Sequence, residues 1–146
     1  MTLRRLGELH VFLRRHAART RVSALSGVPL PGCFARISAA DLRDAQRQST
    51  RVRADSGDEC TVFVDVEVLV DTDVRAALHA AEQYGRASGL RYVGTPRGLA
   101  GFIADLHTVG IADGVSLIPL RAADSSHRII NDVLSMLGVD AAGLAA

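Results

Sequence analysis

The pattern of apolar and polar positions is clearest from Thr61 to Val70, where Val62, Val64, Val66, Val68 and Val70 alternate with Phe63, Asp65, Glu67 and Leu69. A period of two, with β-branched residues on one face, predicts a strand. Asp71-Thr72-Asp73 follows and offers side-chain oxygens to the start of a helix. That helix is expected over 73–87, with Val74, Ala77, Leu78, Ala81 and Tyr84 as its buried stripe and Gly85, Ser88 and Gly89 punctuating its end. Leu90 to Val93 then leads into Gly94-Thr95-Pro96. Thr95 as N-cap with Pro96 in the first helical position predicts a helix start. Its apolar positions, Leu99, Phe102, Ile103 and Leu106, run on to a stop at Gly110. Two interior glycines, Gly98 and Gly101, each weaken this helix by up to about 1 kcal/mol relative to Ala. Asp113-Gly114 introduces a second strand, Val115 to Ile118, stopped by Pro119. A last helix is expected after a cap at Asp124, with Ile129, Ile130, Val133, Leu134 and Leu137 inward and Gly138 beyond its end.

The first third of the chain is patterned less sharply. Residues 1–19 read as an amphipathic helix with Leu3, Leu6, His10, Leu13 and Ala17 on one face. Such an arginine-rich, acid-poor start also has the look of an organelle transit peptide, and no apolar core of a secretory signal follows it. Gly27, Pro29, Pro31 and Gly32 break any period over 20–37, which reads as a loop or linker. Ser38 is expected to cap a helix over about 39–54 with a thin stripe of Leu42, Ala45, Ser49 and Val52, ended by Ser56-Gly57-Asp58. The chain therefore divides into a basic N-terminal segment and loop, 1–37, and an α/β domain, 38–146. Strands alternating with helices imply parallel βα units whose sheet needs cover on both faces.

Composition adds a charge split to this picture. All 17 basic residues are arginine. Residues 1–56 hold eleven of them against Glu8, Asp41, Asp44 and Asp55, a net of +7, and the remaining residues carry −6. The arginines are not interleaved with aromatic residues, so nucleic-acid binding is not expected. No apolar run approaches the roughly 18 residues needed to cross a bilayer. Cys33 and Cys60 stand alone, with no CxxC and no histidine at ligand spacing, so neither a disulfide framework nor a metal site is expected. A reduced, cytoplasmic setting follows as the default. No Walker loop, GxSxG elbow or GxGxxG occurs.

Two stretches together resemble the C-terminal part of the luciferase-like flavin-dependent monooxygenases. One is Val93-Gly94-Thr95-Pro96 leading through an amphipathic helix to Gly110-Ile111-Ala112-Asp113-Gly114 and a strand closing in Leu117-Ile118-Pro119. The other is Val62 to Val70 with Asp71-Thr72-Asp73, similar to the family's preceding strand and acidic helix start. The resemblance covers roughly residues 58–138. The chain departs from the family after the Thr-Pro pair, where Arg97 and Gly98 replace the acids that complete a capping box. Residues 1–37 resemble nothing in that family.

The resemblance implies part of a (β/α)8 barrel, namely its last two βα units, preceded here by an N-terminal helical segment. It also implies FMN or a deazaflavin as cofactor. A complete barrel takes about 250 residues, so the chain is expected to be a C-terminal part or subunit of such an oxidoreductase, inactive alone. A partner chain or a homo-oligomer would supply the rest. The alternative is a non-catalytic α/β interaction domain. Asp65 and Glu67, at i and i+2 on one strand face, are catalytic candidates if that face looks into a barrel, and otherwise form a solvated polar face. Gly94 and Thr95 are cofactor-binding candidates through free N–H groups at a helix N-terminus, and otherwise a simple cap. The stretch from Arg121 through Asp124, Ser125 and Ser126 to His127 stands on the same side and otherwise serves ordinary capping.

Overall fold

The computed structural model describes residues 10–14, 22–24, 33–57, 59–121 and 127–138. In chain order the elements are β1 (His10–Arg14), β2 (Val22–Ala24), β3 (Phe34–Ile37), α1 (Leu42–Ser56), β4 (Thr61–Val70), α2 (Val74–Ala81), β5 (Arg91–Gly94), α3 (Pro96–Thr108), β6 (Gly114–Pro119) and α4 (His127–Leu137). A 3-10 turn, Glu82–Tyr84, extends α2.

All six strands join one sheet around β4, in the order β2-β1-β6-β4-β3, with β5 also on β4. Among the described strands only the β1–β2 pair is antiparallel. Phe63 pairs with both Arg36 and Gly114, and Glu67 with both Arg91 and Ile118. A strand residue has one neighbour on each side, so β3 and β5 lie end to end along one edge of β4 and β6 lies along the other. Gly89 sits where the chain segments after β3 and before β5 meet. A Cβ there would stand 3.0 Å from the Ala39 carbonyl oxygen.

The five valines of β4 sit at 1% exposure or less. They form one apolar cluster with Val115 and Leu117 of β6, Ala45 of α1, Leu99, Ile103 and Leu106 of α3, and Val133, Leu134 and Leu137 of α4. The opposite face of β4 carries Phe63, Asp65, Glu67 and Leu69, outside that cluster. The crossover from β4 through α2 to β5 moves one way across the sheet, and that from β5 through α3 to β6 moves back past β4. Two right-handed crossovers of opposite sense place α2 and α3 on opposite faces. Accordingly Ala77 of α2 and Leu69 of β4 are fully buried yet stand apart from the valine cluster.

The fold is α/β with a mostly parallel sheet, as the sequence led one to expect, and β4 pairs with β6. Its order is not the sequential order of a barrel, because β5 does not lie between β4 and β6. Several expectations are corrected. The part of the expected helix 1–19 that is described, His10–Arg14, is a strand held by parallel pairing with β6, so tertiary pairing overrides the helical period. The remainder of that expected helix lies outside the described residues. The expected loop 20–37 contains β2 and β3, strands too short to show a period. The cap of α1 is Asp41 rather than Ser38, accepting from the Asp44 N–H at 2.7 Å. On α2 only Ala77 is buried, while Val74 and Leu78 are 52% and 56% exposed, because the turn of the helix points them away from the sheet. Cys33 and Cys60 are joined in a disulfide, correcting the expectation that the chain has no disulfide framework. The parallel pairing of β3 with β4 brings them together, Thr61 N–H donating to the Cys33 carbonyl at 3.0 Å. Closing a loop of that length raises the free energy of the unfolded chain by about 3.5 kcal/mol through lost chain entropy.

Two features met their sequence reading closely. Thr95 caps α3 with Pro96 in its first turn, and Gly138 follows α4 with a φ of 67°. The expected cap at Asp124 lies outside the described residues.

Candidate functional site

Asp65 and Glu67 share one face of β4, and each is clamped by an arginine from an edge strand. Arg36 of β3 donates through Nε and Nη2 to the two oxygens of Asp65, at 2.6 and 2.9 Å. Arg91 of β5 donates through Nε to Glu67 at 2.8 Å, and through Nη1 to the Gly85 carbonyl at 2.7 Å. Ser88 donates to the other Glu67 oxygen at 2.9 Å. The bidentate, charge-assisted Arg36–Asp65 pair fixes both partners in orientation. The four side chains are 28% exposed or less, with Arg91 at 12%. Ser116 of β6 stands in register with Asp65 and is buried on the same face. The result is a short polar strip in which two carboxylates of β4 are flanked along one edge by two guanidiniums.

The strip's arginines were not picked out in the sequence. A period of two places Asp65 and Glu67 on one face, but which residues of other strands stand beside them depends on register. Arg91 opposes Glu67 directly, whereas Arg36 opposes Phe63 and reaches diagonally to Asp65. The one available signal was that Arg91 opens the run ending in Gly94.

Gly94 and Thr95 lie at the carboxyl ends of the parallel strands. The loop after β4 turns toward α2 on one face and the loop after β5 toward α3 on the other. A crevice at such a switch point is where doubly wound sheets bind ligands. Around it stand Asp71, whose N–H donates to the Gly94 carbonyl at 2.9 Å, and Arg121, just past β6. Arg121 donates to the Val70 carbonyl at 2.6 Å and to Asp71 at 3.4 Å. The Asp71 carboxyl is held below the ordinary aspartate range, first by the Thr72 N–H and also by the Thr72 hydroxyl and Arg121. Of the stretch after β6, only Arg121 and the start of α4 are described.

The helix N-terminus at this crevice is not open. Thr95 Oγ1 accepts from the Gly98 N–H at 3.2 Å. The Tyr92 hydroxyl lies over Gly94 and Gly98, in the space a Cβ on either would occupy, and donates to the Thr95 carbonyl at 3.3 Å. The Tyr92 ring stacks on Phe102 of α3, with centroids 5.9 Å apart. This accounts for the departure at Gly98: a side chain there would displace Tyr92. In this position Tyr92 covers the first turn of α3. At the opposite end of the sheet, Asp113 accepts from the Val62 N–H at 2.9 Å and from Arg53 at 3.3 Å, which ties the start of β6 to β4. Among the described residues no group of His, Cys, Asp and Glu could hold a metal ion. None of the helices described is long and apolar enough to cross a membrane.

No protein-family model and no curated protein matches the chain. Solved structures that resemble it include DmoA from Hyphomicrobium sulfonivorans, at 12% identity and a TM-score of 0.52. The match covers 75% of this chain and 36% of DmoA, so the chain corresponds to about a third of that protein's length. At that identity the likeness is one of fold.

Proposed function

We propose that this chain is the C-terminal part or a subunit of a flavin-dependent oxidoreductase of the luciferase-like monooxygenase type, inactive until a partner chain or further copies complete it. The observation that carries this reading is the fold likeness to DmoA, a luciferase-like flavin monooxygenase, over three quarters of this chain and barely a third of the other. It agrees with the sequence resemblance over residues 58–138. On this reading FMN or a deazaflavin would supply the redox chemistry, bound largely by residues this chain lacks. Asp65 and Glu67, oriented by Arg36 and Arg91, would position a substrate. The state with Tyr92 over Gly94 and Gly98 would be the one without cofactor.

The test is a fluorescence titration of FMN, with a deazaflavin alongside, into the purified chain and into whatever complex copurifies with it from its host. The chain alone is expected to leave flavin fluorescence unchanged, and the complex to quench it saturably. A complex that forms without flavin overturns the enzyme reading, and saturable binding by the monomer overturns the need for completion.

A second reading is a non-catalytic α/β interaction domain. It is favoured by the occupied helix terminus at the switch point and by the engagement of both carboxylates with arginine. A complex without flavin would select it.

A further inference from the structure

The outward face of α1 is used by neither reading above. Its inward face buries Ala45 and Ser49. Its outward face carries two rows at a spacing of four, Arg43-Arg47-Arg51 and Gln46-Thr50-Ala54, with a shallow, widely open surface groove between them. All three arginines of the first row are exposed, Arg47 at 68%. Residues four apart rise about 6 Å along a helix and are close neighbours on its surface. Like charges at that spacing repel, so local helix stability does not explain the row.

Nor does pairing among the described residues. Arg47 touches Asp44 at a long 3.4 Å. Asp44 is meanwhile engaged by the Ala40 N–H at 3.0 Å and by Gln48 at 2.9 Å. Among the described residues Arg43 and Arg51 have no ion-pair partner. The second row shortens from Gln46 to Ala54, which leaves room for a close approach.

We propose that this groove docks a helix of a partner protein that carries acidic side chains four residues apart. Rows at a spacing of four on two helices interdigitate at a crossing angle of about −50°. In that geometry each acid of the partner's row meets one of the three guanidiniums. The lining of Gln, Thr and Ala offers no aromatic platform for stacking bases, which disfavours single-stranded nucleic acid. None of this chain's own described helices carries acids in such a row, so a second copy does not supply the partner. The inference is independent of flavin binding.

The test uses the full chain and a fluorescein-labelled, alanine-rich helical peptide of about five turns, with glutamates at i, i+4 and i+8. A permuted peptide of the same composition, with the glutamates at alternate positions, serves as comparison, and a DNA duplex is run in parallel. Fluorescence anisotropy is expected to show the ordered peptide binding about tenfold or more tighter than the permuted one, weakening as salt rises. The triple variant Arg43→Gln/Arg47→Gln/Arg51→Gln, its fold checked by circular dichroism, is expected to lose that preference. The variant Arg75→Gln/Arg86→Gln, altered elsewhere on the surface, is expected to keep it. The single variants Arg43→Gln and Arg51→Gln give the same reading should the triple variant not fold. Equal binding of the two peptides, retention of binding by the triple variant, or tighter binding of the duplex would each overturn the proposal, the last assigning the row to nucleic acid.

Discussion

The two faces of β4 use the same ten residues in opposite ways. The valine face makes a dry cluster with three helices and carries no polar side chain of its own. The other face places a carboxylate at its two central positions and relies on arginines from separate edge strands to neutralise them. An apolar face tolerates changes in detail as long as volume is kept, since burial is non-directional. A polar face does not, because each charged group depends on a particular partner in a particular register. The first face should therefore tolerate substitution more readily than the second.

The largest effect that would break this contrast comes from moving a charge across the strand. Val66→Asp buries a carboxylate without an arginine, at several kcal/mol. The chain is expected not to reach a cooperative fold in urea titration, and a normal transition would show the valine face is not dry. Next comes Arg91→Ala, which leaves Glu67 mostly buried with Ser88 as its remaining partner and is expected to lower stability by about 1–3 kcal/mol. Adding Glu67→Gln should recover part of that loss, as a urea midpoint would read; no recovery would mean the pair does not act as one. A smaller effect sharpens the contrast at the strand ends. Gly98→Ala should cost stability although an interior helical alanine ordinarily gains about 1 kcal/mol over glycine, because it displaces Tyr92. In a Tyr92→Ala background the same change should turn stabilising, and a thermal melt that shows the same sign in both backgrounds would remove Tyr92 from the explanation.

The smallest expected effect lies outside β4. The Asp44 carboxyl is held below the ordinary aspartate range chiefly by the Ala40 N–H, with Gln48 and Arg47 contributing. A folded-state pKa below the unfolded one means that this stabilisation is full above the ordinary value, near 3.9, and is lost as pH falls toward the folded value. Asp44→Asn should flatten that acid-side slope in melts below about pH 5. An unchanged slope would place the acid sensitivity elsewhere, with Asp71 the next group to test, since the Thr72 N–H lowers it in the same way.

Local chemistry made β4, the Thr95–Pro96 start of α3 and the Gly138 end of α4 legible from the sequence. An alternating valine face, a hydroxyl before proline and a glycine at positive φ each act over a few residues. The same locality made β1 misleading, since Leu6, His10 and Leu13 fit a helical period and only pairing with β6 turns His10–Arg14 into a strand. For the candidate site, the sequence placed Asp65 and Glu67 on one face and Gly94 and Thr95 at a helix start. Arg36, Arg91 and Tyr92 escaped it because the contacts that define them join residues from different strands or depend on a side-chain rotamer.

The sequence by itself thus determined an α/β chain with a valine-faced strand, two capped helices after it and a basic first third. Tertiary structure alone decided the sheet order, the pairing of Cys33 with Cys60, the arginine that holds each carboxylate and the tyrosine that fills the start of α3. The physical reason is range. Periodicity and capping act between residues a few positions apart, whereas strand order and register balance burial and hydrogen bonding over the whole sheet.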